Sequence, residues 1–350
     1  MKNCEMLKQY NIKPKEFFKE VSLGEAKKEE IPYSCNLCGS CSKVCPKDLK
    51  LQEIFMDMRK ELIDANKGKS PMKGHKAIEM HQILSFSKLF SRTSKDIKAG
   101  YTKRVFMPGC SLASYRPELV EKTLEYLQER LPGTGVILKC CGKPTLDLGQ
   151  EEKFKERYGK LEEELMAVGA EEVITACQNC YNTLVKYSPK LKIKSLWTVI
   201  PELGLSEEQI NKGKHSDISF AIHDACPTRY NTEIQDGVRW IVKELGYNVE
   251  ETSNNRENTK CCGFGGMIVP ANPDLAGKVM EKAADKITKD YVITYCASCR
   301  EAMARTGKKS VHILDLMFNE TYKENSIFLP PPKSSIENWI KRYSAKVRLP

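Results

Sequence analysis

A duplicated cysteine pattern constrains the fold of this chain more than any other feature of its sequence. Three matches carry the duplication: VITACQNC at 173–180 with VITYCASC at 292–299, CCG at 140–142 with CCG at 261–263, and Cys110 with Cys226. The offsets are 119, 121 and 116 residues. Such near-constant spacing is the mark of a tandem repeat, so the chain carries two related domains.

The hydrophobic pattern around these cysteines predicts the α/β class. From Arg104 onward, short apolar runs alternate with helical stretches, which indicates parallel strands joined by crossover helices. The predicted strands are 105–107, 136–138, 173–175, 219–222, 292–294 and 311–313. Residues 1–100, the N-terminal head, have helical periodicity over 15–20, 48–65 and 74–90 and end in a polar linker at 91–100. We therefore predict a helical head followed by two α/β domains with parallel sheets, at 101–215 and 216–350.

The repeated cysteines are candidate metal ligands. The first set is Cys110, Cys140, Cys141, Cys177 and Cys180, and the second set is Cys226, Cys261, Cys262, Cys296 and Cys299. Each group follows a predicted strand, and the carboxyl ends of parallel strands form the ligand site of an open sheet. Fifteen cysteines exceed what packing needs, and an odd number cannot all pair as disulfides. Adjacent cysteines favour a multi-iron core, with structural zinc as the alternative.

A further group of cysteines lies in the head. Cys35-x2-Cys38-x2-Cys41-x3-Cys45-Pro46, the ferredoxin run, has the spacing of bacterial ferredoxins, which hold a 4Fe–4S cluster. In two-cluster ferredoxins the cysteine before the proline binds the other cluster, and this sequence contains one complete run. We predict Cys45 as the fourth ligand of a single cluster, with Cys4 or another group as the alternative.

The sequence resembles the CCG-domain family, typified by the catalytic subunit of heterodisulfide reductase. The resemblance rests on FMPGC at 106–110, HDACPTR at 223–229 and CCGFGG at 261–266, and it covers about 104–317. It implies that all ten repeated cysteines bind two non-cubane 4Fe–4S clusters, which face each other and split a disulfide. Some members carry a fused ferredoxin-like part, which the head resembles. The chain departs from the best-known fused members because it lacks a second ferredoxin run.

Several residues beside the cysteines are candidates for catalysis or cofactor binding. The candidate catalytic residues are His223, Arg229 and Gly263, and the candidate cofactor-binding residues are Gly265, Gly266 and Gly142. His223 could protonate a departing thiolate, or it could hydrogen-bond to a neighbouring backbone. Arg229 could bind a substrate carboxylate or phosphate, or lie on the surface. The glycines could bring backbone amides close to sulfur, or they could form strand-to-helix turns.

Charge is concentrated in the N-terminal part of the chain. Residues 1–104 contain 22 Lys and Arg against 13 Asp and Glu, whereas residues 105–350 contain 34 against 33. A basic head predicts docking of an acidic partner, such as a flavoprotein or another electron donor. No nucleic-acid motif accompanies the charge, so we expect no nucleic-acid partner.

The sequence predicts a cytoplasmic protein without a membrane span or a secretory signal. The resemblance to the CCG-domain family implies an anaerobic organism. Our first functional hypothesis is reduction of a small-molecule disulfide, or the reverse oxidation of thiols, at the paired clusters. The alternative is an electron-transfer subunit that links a flavin dehydrogenase to a quinone or a membrane partner. A third hypothesis is a scaffold with zinc in place of at least one repeated cluster. The sequence does not specify which disulfide would be the substrate.

Overall fold

The computed structural model describes residues 4–23, 29–319 and 327–350, and the head is helical as predicted. Its helices are α1 (Glu5–Gln9), α2 (Pro14–Ser22), α3 (Glu30–Tyr33), α4 (Ser40–Lys43), α5 (Leu51–Ala65) and α6 (Lys76–Phe86), and a 3-10 turn at Lys73–His75 precedes α6. The predicted helix over 48–65 begins later, at Leu51. Asp48 has a φ of 48° and therefore cannot lie in a right-handed helix.

The first repeat contains a five-stranded sheet of order β1-β3-β2-β4-β5. Its elements are β1 (Arg92–Ser94), β2 (Arg104–Met107), α7 (Cys110–Tyr115), α8 (Pro117–Arg130), β3 (Thr134–Leu138), α9 (Lys143–Asp147), α10 (Glu151–Ala167), β4 (Glu172–Thr175), α11 (Gln178–Tyr187), β5 (Lys192–Ser195) and α12 (Leu196–Leu203). Strands β2 to β5 are parallel. Helix α8 buries Val120, Leu124 and Leu127, whose helical spacing forms the apolar face that covers the sheet.

The second repeat contains a four-stranded parallel sheet of order β7-β6-β8-β9. Its elements are β6 (Ser219–His223), α13 (Thr232–Glu244), β7 (Asn248–Glu250), α14 (Ile268–Ala271), α15 (Pro273–Asp285), β8 (Tyr291–Thr294), α16 (Ala297–Arg305), β9 (Lys309–His312) and α17 (Ile313–Phe318). Short 3-10 turns lie at Cys226–Thr228, Arg256–Asn258 and Gly265–Met267. The strand order matches β3-β2-β4-β5, so the duplicated cysteine pattern corresponds to a duplicated fold.

One predicted linker is a strand in the structure. Residues 91–100 contain β1, which pairs antiparallel with β3 and adds an edge to the first sheet. The polar sequence Arg-Thr-Ser concealed this strand because it is short and partly exposed. The addition has a consequence for burial: β3 is buried along its whole length, whereas its counterpart β7 is an exposed edge.

The last helix of the chain, α18 (Ser335–Arg348), returns to the first repeat and packs against α7 and α8. Its Arg342 donates a hydrogen bond to the carbonyl oxygen of Phe90, and Trp339 contacts the rings of His81 and Phe90. The helix therefore joins the end of the chain to the head and the first repeat. Among the described residues, no helix is long and apolar enough to cross a membrane.

Arg59 of α5 links the head to both repeats. This guanidinium is fully buried and donates hydrogen bonds to the carbonyl oxygens of Pro32 and Cys35 in the head. It also donates to Asp147 in the first repeat and to Gly266 in the second, at 2.5 and 2.9 Å. A buried charge is tolerated only when its donors are satisfied, and carbonyl groups supply that here.

We expect Arg59→Met to lower the free energy of unfolding by about 3 kcal/mol, because it leaves four buried carbonyl groups without this donor. Anaerobic thermal unfolding followed by circular dichroism would measure the loss. Arg348→Gln is the matched control, since this exposed arginine makes surface ion pairs with Glu118 and Glu121 and should change stability by less than ~1 kcal/mol. Equal unfolding midpoints for the two variants would contradict the role assigned to Arg59.

Candidate metal centre

The cysteines of the first set lie where strands of the sheet end. Cys110 begins α7 shortly after β2, Cys140 follows β3, and Cys177 lies between β4 and α11. Gly109 has a φ of 82°, and a Cβ atom there would lie 2.6 Å from the Cβ of Cys177. Only glycine therefore lets the Cys110 loop approach the Cys177 helix so closely. The predicted gathering of cysteines at the strand ends is present in the structure.

Both sets form the same chain of neighbouring thiols. Side-chain hydrogen bonds connect Cys110 to Cys140, Cys140 to Cys141, Cys141 to Cys180 and Cys180 to Cys177. The corresponding order in the second set is Cys226, Cys261, Cys262, Cys299 and Cys296. Hydrogen bonds from Cys140 and Cys180 lower the pKa of Cys141, and bonds from Cys261 and Cys299 lower the pKa of Cys262. In both sets the lowered pKa belongs to the second cysteine of the adjacent pair.

The two sets meet across the interface between the repeats. The hydroxyl oxygen of Ser111, next to Cys110, lies 3.0 Å from that of Ser298. Ser298 lies between Cys296 and Cys299 in the sequence. Reciprocally, Asn182 of α11 donates to the carbonyl oxygen of Pro227, next to Cys226, at 2.9 Å. Each set therefore places its first cysteine loop against the paired-cysteine helix of the other set.

The ferredoxin run lies against the second set. A hydrogen bond with Cys261 is the largest effect on the Cys38 thiol and lowers its pKa to about 5. Gly266 makes this docking possible, because a Cβ atom there would lie 2.4 Å from the carbonyl oxygen of Cys35. Asn36 adds a hydrogen bond to the carbonyl oxygen of Gly265 at 3.3 Å. Two glycines of the predicted cofactor loop thus contact the ferredoxin run.

Two of the other predicted residues, His223 and Arg229, lie near the second set. His223 ends β6, is buried, and lies with Cys262 and Cys299 in a group whose ligand atoms are within 4.8 Å of one another. Arg229 is also buried, and its guanidinium donates to the hydroxyl of Ser40 at 2.8 Å and to a carbonyl oxygen of the ferredoxin run.

The remaining predicted glycines lie in turns beside the adjacent cysteines. Gly142 precedes α9, and its backbone N–H lies 3.4 Å from the sulfur of Cys140. The N–H of Gly263 lies 3.4 Å from the sulfur of Cys261 in the same way. Both repeats therefore direct a backbone amide at the first sulfur of the pair. The catalytic and cofactor-binding assignments of these residues stay predictions.

Asp224 organises the second set, and sequence reasoning did not single it out. Its carboxylate accepts two hydrogen bonds from Arg239 and one from the hydroxyl of Tyr295, which precedes Cys296. Its carbonyl oxygen accepts from Thr259, just before the adjacent cysteines. Burial alone would raise its pKa, but the bonds from Arg239 hold that pKa below its usual value. The histidine–aspartate pair before Cys226 was the available signal.

The first set has a neighbour from the head that no motif indicated. Gln82 of α6 is fully buried, and its amide lies 3.4 Å from the sulfur of Cys140. Its carbonyl oxygen accepts a hydrogen bond from Thr145 at 3.0 Å. The head therefore contacts both sets, through α6 at the first and through the ferredoxin run at the second.

The donor atoms fit an iron–sulfur group. All fifteen cysteines are free thiols, and the repeated ones are buried or partly buried. Each set is a series of five neighbouring thiols, one more than the four ligands of a tetrahedral zinc ion. His223, Cys262 and Cys299 could by themselves hold a single ion, so the second set also offers a mononuclear arrangement.

Comparison with known families agrees with this geometry. Residues 105–185 and 220–304 match the Cysteine-rich domain (CCG) family, and residues 1–50 match the 4Fe-4S dicluster domain family. A duplicated α/β fold with cysteines at its strand ends, joined to such a head, is typical of an iron–sulfur oxidoreductase family. The chain therefore contains two copies of the CCG cysteine-rich domain behind an N-terminal 4Fe-4S segment, as its sequence motifs predicted.

Its relatives are distant. A subunit of the fumarate reductase (CoM/CoB) of Methanothermobacter marburgensis is 25% identical over 83% of this chain and 61% of that protein. A subunit of the dihydromethanophenazine:CoB–CoM heterodisulfide reductase of Methanosarcina acetivorans is 25% identical over 84% of this chain and 78% of that protein. The EtfAB:quinone oxidoreductase of Syntrophomonas wolfei is 24% identical over 36% of this chain and 18% of that protein. The chain thus spans less than two thirds of the first of these proteins.

We expect Cys141→Ala and Cys262→Ala each to remove metal from one repeat only, because the two sets belong to separate sheets. Metal analysis of anaerobically purified protein would measure each loss, and the double variant should lose the sum of both. Ser111→Ala is the control, since it changes a residue beside Cys110 without removing a sulfur. Unchanged metal content in both cysteine variants would contradict metal binding by the sets.

Proposed function

We propose that this chain reduces a disulfide at two iron–sulfur clusters held by the two sets, with a ferredoxin-type cluster as their electron supply. The observation that carries this proposal is the reciprocal contact between the sets, through Ser111 with Ser298 and Asn182 with Pro227. A disulfide has two sulfur atoms, and each of two facing groups of thiol-bound metal can bind one of them. A pure scaffold gains nothing from such a facing arrangement.

The reaction consumes two electrons and two protons and converts one disulfide into two thiols. The electrons come from a partner protein, for which the basic head is the docking surface. Iron–sulfur clusters supply the required one-electron steps. The contact between Cys38 and Cys261 supports a route from the head into the second set.

The residues of the chain supply the binding site and a proton donor. A cleft of about 520 Å³ is lined by Lys43, Lys50 and Cys226 together with the carboxylates of Asp48 and Glu53, so it offers room for a small substrate beside the second set. Arg229 also lines this cleft, although its guanidinium is engaged with the ferredoxin run. His223 lies beside Cys262 and is placed to protonate a thiolate formed there. One relative is named for a heterodisulfide, which supports this substrate class.

The alternative is an electron-transfer subunit without a substrate of its own. It would accept electrons from a flavin dehydrogenase and pass them to a quinone or membrane partner. The similarity of part of the chain to an EtfAB:quinone oxidoreductase favours this alternative. The same cysteines would serve both functions, so composition alone cannot separate them.

We expect anaerobically purified protein to contain about twelve irons with matching sulfide and no zinc, which corresponds to three four-iron clusters. It should then oxidise reduced methyl viologen when a mixed disulfide of two short-chain thiols is added, releasing two thiols per two electrons. The control without disulfide should oxidise none.

The two functions give different results in this assay. Full iron content without disulfide-dependent oxidation would contradict disulfide reduction and favour the electron-transfer subunit. About four irons with one or two zincs would contradict both proposals, because the repeats would then be structural.

A further inference from the structure

The hydrogen bonds of Gln82 have a fixed direction that ends at the first set. Gln82 lies on α6 of the head and is fully buried, as is Thr145 of α9. Helices α6 and α9 pack against each other, and this contact brings the side-chain amide of Gln82 next to Cys140. Because the amide is buried, its hydrogen bonds have to be made within the protein.

Arg157 of α10 determines what the hydroxyl of Thr145 can do. Its guanidinium can only donate, and it lies 2.6 Å from that hydroxyl oxygen. The single hydrogen of the hydroxyl is then available for the amide oxygen of Gln82, which lies 3.0 Å away. The amide oxygen of Gln82 is therefore the acceptor of Thr145, and the amide nitrogen is left for the other neighbours.

The amide nitrogen of Gln82 carries two hydrogens and has two acceptors. One acceptor is Nδ1 of His81 at 3.1 Å, and the other is Sγ of Cys140 at 3.4 Å. Burial lowers the pKa of His81 to about 4, so its ring is neutral near neutral pH and Nδ1 can accept. Both hydrogens are thus used, and one of them is directed at the sulfur of Cys140.

The amide oxygen of Gln82 does not compete for this sulfur once metal is bound. It lies 3.6 Å from Sγ of Cys140, so a protonated thiol could donate to it. A thiolate that binds metal has no hydrogen to donate. The bond from the amide nitrogen to the sulfur is then the one that the two side chains can make.

This hydrogen bond distinguishes the first set from the second. In both repeats a backbone N–H, of Gly142 or Gly263, lies 3.4 Å from the first sulfur of the adjacent pair. To this shared contact the first set adds the amide of Gln82 from the head. At the second set the head contributes the ferredoxin run instead, and the side-chain amide of Asn36 donates there to the carbonyl oxygen of Gly265.

We infer that Gln82 is a positioning residue that donates a hydrogen bond to the ligand sulfur of Cys140 and thereby raises the reduction potential of the group held by the first set. The inference rests on the proposed function, which supplies that group. Reduction adds negative charge to the group and its sulfur ligands, so an N–H donor stabilises the reduced form more than the oxidised form. A higher potential favours electron transfer onto the first set, away from the set that contacts the ferredoxin run.

The test measures the reduction potential of the first set in wild-type protein and in Gln82→Met, by redox titration followed by electron paramagnetic resonance. Methionine has a similar length and no N–H group, so the variant removes the donor with little change in volume. The Cys141→Ala protein identifies the signal of the first set, because it should lack that signal.

At the potential where the wild-type group is half reduced, we expect the ratio of oxidised to reduced group to rise about tenfold in Gln82→Met. This corresponds to a potential lowered by about 59 mV for a one-electron step. The signals of the second set and of the ferredoxin run should keep their potentials.

A second variant and a matched control accompany this measurement. Thr145→Val removes the hydroxyl that orients the amide and keeps Gln82, so it should shift the same potential in the same direction by a smaller amount. Gln128→Met is the control, since the amide of Gln128 donates to the carbonyl oxygen of Thr134, at the opposite end of β3 from Cys140. It should leave every potential unchanged.

An unchanged potential of the first set in folded Gln82→Met protein with full iron content would overturn the inference and leave the proposed function intact. An equal shift in the signals of both sets would also overturn it, because the effect would then not be local. If Gln82→Met does not hold its iron, the potential of Thr145→Val decides by the same criteria. Full iron content without disulfide-dependent oxidation of viologen would contradict disulfide reduction alone, since the potentials are measured without substrate.

Discussion

The buried guanidinium of Arg59 is the contact on which the arrangement of the head depends. Its donors reach carbonyl groups of Pro32 and Cys35 in the head, and also of Asp147 and Gly266 in the two repeats. The ferredoxin run has few apolar residues of its own, so burial alone could not fix its position. Satisfying one charge with several carbonyl oxygens fixes the distance between three parts of the chain at once.

The two sets share one geometry but have different surroundings. The first set contacts Gln82 and Arg342, which come from segments outside the duplicated region. The second set contacts Cys38 of the run and its own His223. Duplication thus produced two groups of thiols with the same arrangement, and the flanking segments gave them different surroundings. Iron–sulfur potentials respond to charge and hydrogen bonding, so we infer that the two groups have different redox properties.

Much of the fold could be predicted from the sequence, because periodicity and repetition are local signals. The strands ending near Cys110, Cys177 and Cys296 were predicted within about a residue or two. The missed strands have one physical cause: β1, β5 and β7 are short strands at sheet edges, which carry no apolar run. Packing against a neighbouring strand, rather than the composition of the segment, makes β1 a strand.

The residues of the candidate site also fall into those that the sequence indicated and those that it did not. Cysteine spacing revealed the ligand candidates, and the glycine-rich loop marked a close contact, although its partner is the ferredoxin run. Arg59, Gln82 and Arg342 carried no signal, because a single arginine or glutamine on a helix is usually a surface residue. Their importance follows from long-range packing, which brings residues up to 277 positions apart into contact, as with Glu5 and Lys282.

The return of α18 to the first repeat limits how this protein can be divided. Each repeat has its own sheet, yet the first is covered by a helix that the chain reaches only after completing the second. A gene fragment that ends between the repeats would encode a domain with an uncovered face on α7 and α8 and no Arg342. The duplicated units have therefore become interdependent. A swap or deletion of the first repeat would have to include α18 as well.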